Sequence, residues 1–74
     1  MSKQIIQKVR NQLNAMYINY RFEVKCTQDG CKYMITAFKD STSIDTYTAE
    51  SNTPITTFWD NVKVWMKTVM RKSH

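Results

Sequence analysis

The chain has 74 residues, 42% of them apolar, with a single glycine, a single proline and a net charge of +5. That length allows one small domain, residues 1–74, which buries only about 60% of its unfolded surface and is stable by a few kcal/mol. The apolar share argues against disorder, no apolar run approaches the roughly 20 residues that span a bilayer, and the basic charge suits an acidic partner.

Ser2 reads as a helix N-cap. Behind it Ile6, Val9, Leu13, Met16, Tyr17 and Tyr20 recur at three- and four-residue intervals, with Gln4, Gln7, Asn11, Gln12 and Asn14 between them. This spacing predicts an amphipathic helix over about residues 2–19. The period then drops to two. Phe22, Val24 and Cys26 alternate with Arg21, Glu23 and Lys25, as in a half-buried strand.

Asp29-Gly30 follows, the residue pair that favours a type I′ hairpin because both central positions need positive φ. That turn aligns Cys26 with Tyr33, Val24 with Ile35 and Phe22 with Ala37, so these six share one face. Arg21, Glu23, Lys25, Lys32, Met34, Thr36 and Phe38 fall on the other. Residues 40–43 (Asp-Ser-Thr-Ser) make a second turn, and Ile44–Ala49 a third strand. Its inward face is ambiguous, with Ile44, Thr46 and Thr48 competing against Tyr47 and Ala49. Thr53-Pro54 reads as N-cap and first helical residue. Ile55, Phe58, Trp59, Val62, Trp65, Met66 and Val69 then form the apolar face of a helix over about residues 54–71. The expected fold class is α+β: a two-layer sandwich in the order helix, three-stranded antiparallel meander, helix (αβββα), with both helices on one sheet face.

Little here suits catalysis. The only histidine, His74, ends the chain, so no nucleophile–base pair is in view, and a lone glycine excludes a glycine-rich phosphate cradle. The acids are scattered. Cys26 points toward the expected core and Cys31 lies at the turn; their spacing is neither a redox motif nor half of a zinc site. The chain is therefore read as a non-enzyme without metal or cofactor. Residues 1–6 (Met-Ser-Lys-Gln-Ile-Ile) show no hydrophobic signal core, which points to an intracellular, reducing location.

The charges are more informative. Residues 1–22 hold Lys3, Lys8, Arg10 and Arg21 with no acid, and residues 61–74 hold Lys63, Lys67, Arg71 and Lys72 with none. All six acids lie between Glu23 and Asp60, against Lys25, Lys32 and Lys39, so the blocks carry +4, −3 and +4. If the terminal segments fold side by side, their cations pool. On the second helix Lys63, Lys67 and Arg71 line one edge near Trp59 and Met70. On the first, Lys3, Arg10, Asn14, Tyr17 and, if the helix extends, Arg21 make a similar edge. Cations beside aromatic and amide groups suit nucleic acid, the charges meeting phosphate and the rings stacking on bases. An i,i+4 lysine row is equally the solvated side of an ordinary helix, and Asp60 stands one turn from Lys63.

The expected function is a small nucleic-acid-associated accessory or regulatory factor. Lys63, Lys67, Arg71 and Lys72 are the main phosphate contacts, Lys3, Lys8 and Arg10 widen the patch, and Arg21 and Tyr17 add to it. The alternative is a compact inhibitor or adaptor, of a kind carried by phages and other mobile elements, bound to an acidic surface of another protein such as a nucleic-acid-handling enzyme. It would use the same cations, or Met34, Phe38 and Lys32 on the outer sheet face. A sheet edge also offers a route to a homodimer. The helix–three strands–helix order resembles the topology of the double-stranded-RNA-binding domain. Where that family has a lysine-rich second-helix start and a longer first hairpin loop, this chain has Thr53-Pro54-Ile55-Thr56 and Asp29-Gly30, so no site residues carry over.

Overall fold

Helical periodicity at both ends and alternation between them become two helices and one sheet in the computed structural model, which describes residues 3–73. The order is α1 (Lys3–Met16), β1 (Arg21–Cys26), β2 (Lys32–Lys39), β3 (Thr42–Glu50) and α2 (Ile55–Lys72). The expected cap Ser2 lies outside the described residues. The sheet is antiparallel in the order β1-β2-β3, with α1 over β1 and α2 over β3 on one face. This is the expected αβββα sandwich.

The register of the first hairpin is the one the alternation dictates: Cys26 pairs with Tyr33, Val24 with Ile35 and Phe22 with Ala37. Its turn differs from expectation. The Gly30 N–H donates to the Thr27 carbonyl at 2.9 Å, and only Gly30 has positive φ (72°), so the loop is wider than a two-residue type I′ turn. Asp29 supports it instead through its side chain, accepting from the Thr27 hydroxyl at 2.6 Å and the Cys31 N–H at 3.0 Å. The consecutive positive φ angles occur in the second hairpin, at Asp40 (52°) and Ser41 (69°), where Lys39 pairs with Thr42. Aspartate tolerates the left-handed region through local hydrogen bonding; serine does so at a cost.

A bulge answers the ambiguity of β3. The register shifts between Ala37, which faces Asp45, and Phe38, which faces Ser43. One extra residue reverses the alternation. Ala49 and Tyr47 therefore face the helices on one side of the bulge, and Ile44, the extra residue itself, also packs against the core, while Thr46 faces Thr36 on the outer sheet surface.

The core joins Val9 and Leu13 of α1, Phe22, Ile35, Ala37 and Ala49 of the sheet, and Phe58, Val62, Trp65, Met66 and Val69 of α2. Burying each large apolar side chain contributes about 1.5–3 kcal/mol against the entropy of ordering the chain. Helix α1 stops at Met16, short of residue 19; the Tyr20 N–H bonds to the Tyr17 carbonyl at 3.0 Å and turns the chain into β1. At α2, Pro54 is the cap rather than the first helical residue. Its ψ of 142° is extended, and no side chain caps the helix, so Thr53 does not serve as the N-cap.

Candidate nucleic-acid interface

The fold sorts the charges by layer. The two helices hold seven lysines and arginines against one acid, Asp60, whereas strands and turns hold four against five, giving +6 and −1. The helices run side by side in the same direction. Ile5 and Val9 of α1 share a cleft of about 140 Å³ with Ile55 and Phe58 of α2 at one end. At the other end the Tyr20 and Ser73 hydroxyls are hydrogen-bonded at 2.7 Å.

Along α2, Lys63, Lys67 and Arg71 are exposed and follow one another at four-residue steps, about 6 Å of rise each. Among the described residues none of the three has an ion-pair partner, Asp60 included. An i,i+4 row inclines across a helix. Trp59 lines the groove toward α1; Lys63, one turn on, lies on that flank, and Lys67 and Arg71 step outward from it. On α1, Lys8 lies in the same groove as Trp59, and so beside the start of this row.

The other expected cations lie apart. Arg10 is exposed on the far flank of α1. Asn14, one turn beyond it, accepts the Phe22 N–H at 3.2 Å, so this flank overlooks β1 rather than α2. Because α1 ends early, Arg21 belongs to β1 and to the outer sheet face. There its guanidinium stacks over Phe38 at 4.4 Å and pairs with Glu23 at 2.8 Å. Lys72 leans to the other edge, 3.5 Å from Asp45 on β3. Tyr17 is half-buried against Phe22, with ring centroids 6.0 Å apart, and serves as a wall of the core. The Lys3 side chain lies outside what is described. On the outer sheet, Lys32 and Met34 are exposed, and Phe38 is half-covered by Arg21.

The groove itself was not visible in the sequence. Ile5, Lys8, Val9 and Gln12 of α1 and Ile55 and Trp59 of α2 enclose about 380 Å³ of open, mostly apolar space. Trp59 is half-buried, held edge-on by Phe58 with centroids 5.2 Å apart and planes at 78°. The available signal was the width of the apolar stripes: Ile5 and Ile55 extend each stripe past the direction of the sheet, and they remain 39% and 60% exposed. A stripe wider than its core contact marks a groove edge.

Asp45 anchors the neighbouring edge. Partial burial pushes its pKa up, but hydrogen bonds from the Trp65 indole and the Thr46 N–H, with Lys72 close by, outweigh this and hold it below the usual carboxylate value. Comparison of the chain with protein-family models, curated proteins and solved structures finds no match. No helix among the described residues is long and apolar enough to cross a membrane.

Proposed function

We propose that this is a small non-enzymatic nucleic-acid-binding protein, an accessory or regulatory factor that meets phosphates with its helical layer. The observation that carries the reading is the separation of charge by layer, with Lys63, Lys67 and Arg71 in one row, unpaired among the described residues, and Lys8 in the groove beside Trp59, one turn before that row. Phosphate contact of this kind is sequence-independent, so binding without sequence preference is expected. Lys72 contributes less, being shared with Asp45. Two free cysteines suit a reducing, intracellular setting.

A titration of generic DNA and RNA at low salt tests this. The native chain should bind; Lys63→Glu, Lys67→Glu and Arg71→Glu together should abolish binding and leave the circular dichroism spectrum unchanged, because all three side chains are exposed.

One observation favours the adaptor or inhibitor reading as a second choice. Ile55, Val64 and Met70 of α2 are 60%, 65% and 41% exposed among the cations, a mixture that suits an acidic protein surface. If charge reversal leaves nucleic-acid binding untouched while the native chain captures an acidic protein through α2, this second reading replaces the first. The outer sheet face is a weaker candidate, since Arg21 already covers Phe38.

A further inference from the structure

The groove between the helices combines an aromatic ring, an amide, an ammonium group and apolar walls in one open site. We infer that it is a base-binding subsite, so that the ligand of the helical layer is a single-stranded nucleic acid; this rests on the nucleic-acid reading above and goes beyond it by naming the class of strand.

Trp59 offers an indole that is already oriented, since Phe58 holds its edge, and that is half-buried rather than sealed in the core. Ile5, Val9 and Ile55 supply apolar walls beside it, and the Gln12 amide supplies a donor and an acceptor for a base edge. Lys8 enters the same groove, and Lys63 stands one turn beyond Trp59. About 380 Å³ of space falls within the usual size of small-ligand sites, which are mostly apolar with a few polar groups that orient the ligand.

A base stacked within a duplex cannot reach between two helices unless it is extruded, at a cost of unpairing and unstacking. A single strand meets no such cost and binds by aromatic stacking along a cationic track. Charge fixes the direction of that track. Glu50 lines the smaller cleft at the α2 N-terminus and repels phosphate, whereas Lys63, Lys67 and Arg71 continue from Trp59 the other way. The backbone of the strand therefore runs from the groove along α2 toward its C-terminus.

The test compares a short single-stranded oligothymidylate, an abasic deoxyribose-phosphate oligomer of equal length and a duplex, each titrated against the intact protein. Trp59 emission should be quenched by the oligothymidylate and not by the abasic oligomer. Trp65 is 8% exposed and donates to Asp45, so it should stay silent, and Trp59→Phe assigns the signal. The oligothymidylate should bind about 5- to 150-fold more tightly than the abasic oligomer, the range expected for stacking one base. Trp59→Ala should erase that gap while abasic binding persists. Should Trp59→Ala fail to fold, Gln12→Ala, at an exposed position, should narrow the gap. Equal affinity for base-bearing and abasic strands overturns the subsite and leaves the phosphate reading standing. Tighter binding to the duplex than to the single strand also overturns it. Absence of binding to all three removes the parent reading, and the subsite with it.

Discussion

Asp45 ties the bulged strand to the second helix: its carboxylate accepts the Trp65 indole N–H at 3.0 Å and faces the Lys72 ammonium at 3.5 Å. Replacing it with alanine leaves that N–H buried and unmet, a cost of about 1–3 kcal/mol that a urea melt of Asp45→Ala will show. Asparagine can still accept the bond, so Asp45→Asn should cost less. It should also change the response to acid. The folded-state pKa of Asp45 lies below its unfolded value. Its stabilisation is therefore complete above the ordinary carboxylate pKa of about 3.9 and is lost as pH falls through the depressed folded value. Melts between about pH 5 and pH 2 should show the native chain losing more stability than Asp45→Asn. At the second hairpin, Ser41 holds a φ of 69° without the freedom of glycine. Ser41→Gly should raise stability by up to about 1 kcal/mol, since relief of left-handed strain outweighs the added chain entropy.

Between elements, the sheet and the helices depend on a few side chains that bridge them. Leu13 of α1 is fully buried against both layers, and Leu13→Ala should lower the melting midpoint by roughly 10–20 °C. Val64 of α2 is 65% exposed, and Val64→Ala should change the midpoint little. Calorimetry of the two variants separates a core position of α1 from a surface position of α2. The elements were largely legible in the sequence because each apolar stripe has the period of the structure it forms. Phe22, Val24 and Cys26 met Ala37, Ile35 and Tyr33 respectively, in the anticipated register, although the Asp29-Gly30 turn took another form. The inward face of β3 was not legible, because one bulge opposite Ala37/Phe38 reverses the alternation that a sequence reading must assume to be continuous. Helix ends were misjudged for a related reason. Tyr17 and Tyr20 continue the apolar spacing of α1 after the backbone has left the helix, since both still pack on Phe22.

For the whole molecule, the basic ends of the chain, Arg21 apart, become one layer, and five of the six acids lie in the other, with Asp60 on α2. What the sequence could not reveal is which cations that layer brings together. Arg10, Arg21 and Lys72 belong to the same basic blocks as Lys8 and Lys63, yet the fold directs them to the β1 flank, the outer sheet and the β3 edge. The grouping depends on how the helices are rotated over the sheet, which the core residues fix and the charge pattern does not. The account stands on the smaller set of Lys8, Lys63, Lys67 and Arg71 acting as one phosphate-binding surface. Its most direct test is the salt dependence of binding to a single-stranded oligonucleotide. Four phosphates neutralised on a single strand predict a slope of log affinity against log salt of roughly −3, falling by about 0.7 for each of these cations removed. A slope that does not change when Lys63, Lys67 and Arg71 are replaced by glutamine, or no binding at the lowest salt, would contradict it.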